Sequence, residues 1–224
     1  MSRGACCLLA LASVFHAPAS RCEESPLQPR QWDFAVMLDG KPIGRHRFLL
    51  SSLDNEPGGW QLSSRAEYDV RILGITVYRY QHEARERWRE GCLSALSSTT
   101  DDDGTVSVVD GRQDGTALRI TMQRDRERQI STVAGCAFSY AYWHPALRRQ
   151  SRLLNPQTGK LDTVSITTGR STALTVAGQP VPATGWQLQG PEGPLEVWYD
   201  NRGEWIGLDA LVSGKHALSY RLQP

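Results

Sequence analysis

From Trp32 onward the apolar residues recur at every second position, the period of a β-strand with one packed and one wet face. The clearest run sets Trp60, Leu62, Ser64, Ala66, Tyr68 and Val70 against Gln61, Ser63, Arg65, Glu67, Asp69 and Arg71. By the same rule the first predicted strand turns Trp32, Phe34, Val36 and Leu38 inward. Turn signals punctuate the runs: Asp39-Gly40, Pro57-Gly58-Gly59, Asp103-Gly104, Asp114-Gly115, Asn155 to Gly159, Gly178-Gln179-Pro180, Asn201-Arg202-Gly203 and Ser213-Gly214. Such residues tolerate the backbone conformations that tight hairpins require. Strands of roughly 6 to 12 residues joined this way make an antiparallel meander. No long amphipathic helix is evident.

A meander with one apolar face must hide it, by curling on itself or by covering it. The predicted fold is therefore all-β, a curved meander sheet or an open barrel-like roll. The natural cover is AYWHPALRRQSRLLNPQTG, residues 141–159. Pro145 suits a first helical turn, where its missing N–H costs nothing. Arg148, Arg149 and Arg152 then fall toward the C-terminal end, where the helix dipole favours cations. Tyr142, Trp143, Leu147 and Leu154 are placed to dock on the sheet. The expectation is one short helical plug near residues 144–152.

Residues 1–19 read as a secretory signal: Arg3, an apolar run from Gly4 to Phe15, and Ala17-Pro18-Ala19 as a small-x-small cleavage site. The run is shorter than the ~20 apolar residues that span a bilayer, so no membrane span is predicted. Arg21 before Cys22 argues against a lipid anchor. Residues 20–31 read as a flexible leader and residues 32–224 as a single antiparallel β domain, exported to the periplasm or secreted. Cleavage removes only Arg3 from the 25 basic residues and leaves 24 against 24 acidic. That balance, with no block of five like charges, argues against a nucleic-acid partner.

An oxidising compartment makes a disulfide plausible. Cys22 sits in the Pro-rich leader, so Cys92 is paired with Cys136, and Cys22 is left over. Closing that loop of ~45 residues stabilises by about 4 kcal/mol on the chain-entropy account. Two buried free thiols are the alternative.

Strand parity puts ionisable groups on the packed side. Tyr78, Tyr80, His82, Ala84, Glu86 and Trp88 share one face while the arginines between them share the other; His46 falls with Phe48 and Leu50. Buried charge is costly unless paired, so these positions form either a hydrogen-bonded network or a wet cavity. His82 and Glu86 stand ~13 Å apart along a strand, too far for direct contact. HEARE also lacks the spacing of the HExxH zinc pattern. No metal and no cofactor are predicted. GxSxG, GxGxxG, a phosphate loop and CxxC are absent, which removes the common hydrolases and nucleotide enzymes. The seven tryptophans line a pocket for an apolar ligand or are simply core.

The blocks WDFAVMLDGKPIGRHRF, VYRYQHEARERWREGCL, GCAFSYAYWHPALRRQSRLLNPQTG and LEVWYDNRGEWIGLDA occur in order. Together they resemble an uncharacterised exported bacterial family, a domain of unknown function, over Trp32 to Leu222. The resemblance implies fold and compartment without a reaction. Cys92, Cys136 and Tyr142-Trp143-His144-Pro145 match its recurring pattern. Asparagine is frequent there in place of His144, which favours capping over proton transfer. A weaker likeness to another group of uncharacterised periplasmic β-proteins covers Val181 to Leu222.

The function expected is a periplasmic, non-enzymatic β-protein sheltering an apolar or amphiphilic ligand, or an envelope partner, in its concave sheet. Tyr78, Tyr80, His82, Trp88 and Trp143 would line that face beside His144, with Arg148 or Arg149 at the mouth meeting an acidic head group. Two alternatives stand beside it. One is an enzyme acting on an envelope substrate through His144, Tyr142 and Arg148; the other is a purely structural scaffold with a filled interior.

Overall fold

The computed structural model describes residues 27–54 and 56–224. The expected signal at 1–19, most of the leader and Cys22 lie outside the described residues. The fold is all-β. Eight strands follow one another as a meander: β1 (Arg30–Leu38), β2 (Lys41–Ser52), β3 (Trp60–Ile72), β4 (Ile75–Arg89), β5 (Cys92–Asp102), β6 (Thr105–Asp114), β7 (Ala117–Arg124) and β8 (Glu127–Ala134). The chain then crosses the interior. A 3₁₀ helix (Pro145–Arg149) and a small ribbon, β9 (Arg152–Leu154) with β10 (Leu161–Thr163), occupy this crossing. Five more strands return along the other side: β11 (Ser165–Val176), β12 (Gln179–Gly190), β13 (Gly193–Asp200), β14 (Trp205–Val212) and β15 (His216–Leu222).

β15 pairs with β1, from Phe34 opposite Leu222 to Leu38 opposite Leu218. This pairing fuses both meanders into one 13-stranded antiparallel sheet whose edges are β11 and β8. The two edges do not pair with each other, so the roll is unclosed. Six hairpin turns, β1–β2, β3–β4, β5–β6, β7–β8, β12–β13 and β14–β15, follow from the register as one end of the roll.

Several hairpins close through a two-residue turn with both residues at positive φ, as at Asp39 (51°) and Gly40 (75°). This mirror-image turn matches the right-handed twist of the strands. Leu73 (51°) and Gly74 (84°) make the same turn between β3 and β4. There a leucine, 98% exposed, occupies a conformation that suits Asn or Asp.

The inward rows are those that the alternation assigns. On β4, His82, Ala84, Glu86 and Trp88 are buried while the residues between them are exposed. Trp32, Phe34 and Val36 of β1 are buried in the same way. Trp205 from β14 meets Phe34 at 4.3 Å and Phe48 at 4.9 Å between ring centroids. The plug supplies the rest of this core through Phe138, Trp143, Leu147, Leu153 and Leu154. Its turn at Gly159 (φ 66°) reaches β7: a Cβ there would stand 3.1 Å from Met122 Cβ and 3.3 Å from Ile120 Cγ2.

The helix is shorter than expected, five residues in the 3₁₀ form. Leu147 N–H donates to His144 C=O and Gln150 N–H to Leu147 C=O, the three-residue steps that rarely extend beyond one or two turns. Arg152 belongs to the ribbon. Cys92, which opens β5, and Cys136, which opens the crossing, stand at disulfide-bonding distance with Cα atoms 5.2 Å apart.

One aromatic departs from the two-face pattern. Trp198 lies opposite in parity to Val197 and Tyr199 and is fully buried in a second small cluster with Leu174, Ala183 and Ile206. Leu174 belongs to β11, so this edge strand covers part of the outer face. The Trp198 indole N–H donates to Asp209 Oδ2 at 2.8 Å.

Candidate functional site

The plug fills only part of the roll. Between it and the end carrying the β12–β13 and β14–β15 hairpins lies a cavity of about 410 Å³. Trp205 from the sheet and Tyr142 and Trp143 from the plug line it on the plug's side. His46, His82, Glu86 and Tyr220 line its walls, and the turn residues Glu192 and Ser213 its rim. Alternation explains the walls: His46, His82, Glu86 and Tyr220 each project from the inward row of β2, β4 or β15. Hollows of about 590 and 680 Å³ occur on the outer face of β2 to β5. They are open depressions in a twisted sheet, and their Arg65 is already paired with Glu67 and Glu83. The interior space is the most sheltered of the three and opens at its rim.

Burial opposes charge on the polar groups of its wall. Burial pushes His82 down to about 4, and its Nδ1 lies 2.8 Å from Thr100 Oγ1. Burial, with a smaller effect from His82, drives His46 well below the usual histidine range. His46 Nδ1 is 3.3 Å from Tyr68 Oη, which also bonds Tyr220 Oη. Glu86, 5% exposed, is pushed up to about 7 by burial. The neighbouring Ser139 hydroxyl partly opposes that shift, as does the Trp88 indole N–H, which donates to Oε2 at 2.9 Å. Two nitrogens on cavity-lining residues, Trp143 Nε1 and His46 Nε2, are buried with no hydrogen-bond partner. Buried polar atoms normally find partners; these two expose almost no surface of their own, so they belong to the packed backing of the wall and not to its open face.

A model of a domain of unknown function, DUF6134, matches residues 34–223. The chain belongs to the DUF6134 family. No curated protein matches it. Among solved structures, the crystal structure of a β-barrel-like protein of domain of unknown function DUF1849 from Brucella abortus is similar in fold. The TM-score is 0.61 at 9% identity, over 87% of this chain and 95% of that one. At that identity the likeness concerns the fold alone.

In this DUF6134 domain the residues singled out by sequence do not all meet. His82 and Trp143 line the cavity. Tyr80 stacks on Tyr68 with centroids 5.1 Å apart, adjoining the Tyr68–Tyr220 pair. Tyr78 lies nearer the rim, its hydroxyl donating to Asp102 Oδ1 at 2.7 Å. Trp88 is buried beyond the wall, edge-on to Phe138 and Trp143, and backs the cavity through Trp143 and Glu86. His144 caps the 3₁₀ helix, its Nδ1 accepting from Ala146 N–H at 3.1 Å.

The arginines expected at the mouth are elsewhere. Arg148 sits over the rings of Tyr199 (4.7 Å) and Trp186 (5.2 Å), near the turn at Gly203, at the end away from the rim. Neither it nor Arg149 lines the cavity. The 3₁₀ helix turns both away because it ends on the far side of the plug. His144, Tyr142 and Arg148 therefore do not converge on one reacting position. Sequence reasoning passed over Trp205 and Tyr220 as cavity residues. Their inward positions depend on β15 pairing with β1, for which a local pattern carries no signal.

Proposed function

We propose that this protein is exported and shelters an amphiphilic small molecule in its interior cavity. The observation that carries the reading is the cavity itself: about 410 Å³, within the ~300–1,000 Å³ range of ligand sites, left unfilled by the plug. Aromatic and aliphatic groups dominate one part, and the His46, His82 and Glu86 side chains supply a few polar positions, the usual composition of a ligand pocket. A scaffold with a filled interior would not leave this space. Export is supported by the signal-like residues 1–19 and by the Cys92–Cys136 pair, which suits an oxidising compartment.

Native mass spectrometry of protein purified from the periplasm is the direct test. The expected spectrum shows a bound species of fixed excess mass that Nile red displaces, on a chain beginning at Ser20. A clean unliganded mass with no Nile red uptake would overturn the binding reading. Recovery of the uncleaved chain from the cytoplasm would overturn export.

A further inference from the structure

The cavity is selective in charge. Its lining includes two carboxylates, Glu86 and Glu192, and among the described residues neither a lysine nor an arginine. The histidines on its wall are neutral near neutral pH, so they add no positive field. Glu86 is buried in the β4 wall, and among the described residues no cationic side chain acts on it; its neighbours are the Ser139 hydroxyl and the Trp88 indole, the latter at 2.9 Å. A buried carboxyl without a counter-ion is an unfavourable arrangement, and the unfavourable term is removed when a cation enters. Six aromatic rings line the same space: Phe48, Tyr140, Tyr142, Trp143, Trp205 and Tyr220. Rings of this kind attract an ammonium group through their negative faces, most strongly where water is excluded. An anionic head group would find two carboxylates and the same ring faces, with no lysine or arginine in the lining to pair with.

We infer that the cavity takes an amphiphile with a cationic head group, an alkylamine or quaternary ammonium, with Glu86 as its counter-ion. The inference rests on the proposed function and narrows its ligand class. It also reverses the acidic head group that Arg148 and Arg149 suggested in the sequence, since those side chains lie outside the cavity.

The test compares three probes of equal chain length, each below its micelle concentration: dodecyltrimethylammonium, dodecanol and dodecanoate. Intrinsic tryptophan fluorescence and calorimetry report binding to the full chain. The expected order places dodecyltrimethylammonium at least tenfold tighter than dodecanol, with dodecanoate weakest. Glu86→Gln should remove most of the cation's advantage and leave dodecanol unchanged. Gln keeps the acceptor for Trp88, and its melting curve checks the fold. If that variant does not fold, the order among the three probes on the wild-type chain decides. Equal binding of cation and alcohol, or tighter binding of dodecanoate, overturns the charge inference and leaves the amphiphile reading standing. Failure of all three probes overturns both.

Discussion

Glu86 offers a quantitative test of how dry the interior is. Its carboxyl titrates near 7 in the folded chain against the usual 4.5. At ~1.4 kcal/mol per pH unit, that difference makes the charged form about 3 kcal/mol less favourable in the folded state. The sign follows from who holds the proton. As pH rises through 4.5 the unfolded chain releases it while the folded chain keeps it, so folding stability falls until pH passes about 7. Glu86→Gln has no proton to lose. The variant should therefore gain on the wild type by about 3 kcal/mol between roughly pH 4 and pH 8. For a domain of this size that is roughly 6–12 °C in Tm. His82, lowered to about 4 by burial, acts in the opposite direction, losing stability as pH falls below the usual 6.5. It is present in both proteins and cancels from the difference. Guanidinium titrations of both proteins across that pH range provide the measurement. A difference that stays flat would mean that Glu86 is solvated, and the account of the cavity wall would be wrong.

Three further outcomes are expected. Reducing the Cys92–Cys136 pair, or replacing both cysteines with serine, should cost about 4 kcal/mol on the loop-closure account, read as a lower denaturant midpoint. His144→Ala should cost about 1 kcal/mol, the loss of a cap, while His144→Asn should recover most of it; equal loss in both would remove the capping role. Leu73→Asn should stabilise by about 0.5–1 kcal/mol, because Leu73 stands at φ 51° where a leucine carries a backbone penalty and asparagine little. A destabilised Leu73→Asn would show that the leucine makes contacts beyond its own turn.

The parity of β3 and β4 was fully legible, since a half-buried strand records its environment every second residue. Tyr80, His82, Glu86 and Trp88 could be placed on one inward row without coordinates. Turns built on Asp-Gly were legible too. Leu73-Gly74 and Glu90-Gly91 turn the chain in the same way but place a leucine and a glutamate where asparagine or aspartate would announce the turn. The destination of the plug's arginines was not legible. The helix dipole says which end suits a cation, but Arg148 is fixed by Tyr199 and Trp186, brought there from strands fifty and forty residues away by roughly those spacings. Trp198 escaped for a related reason. Alternation gives the face of a strand, and the covering of that outer face by β11 is a property of the edge, set by how the sheet ends.

The join between β1 and β15 lies in the middle of the sheet, with Gln223 N–H still donating to Asp33 C=O beyond its last paired residues. It links the two most widely separated strands in the chain, and long-range closure of that kind is slow. Removing residues 216–222 would accordingly do more than trim a margin: it would break the sheet into two ribbons held together only through the core and the plug, each with a newly bared border. Until the final strand arrives, a nascent molecule exposes Phe34 and Trp205 along that border, an invitation to pair with a neighbour instead of with itself.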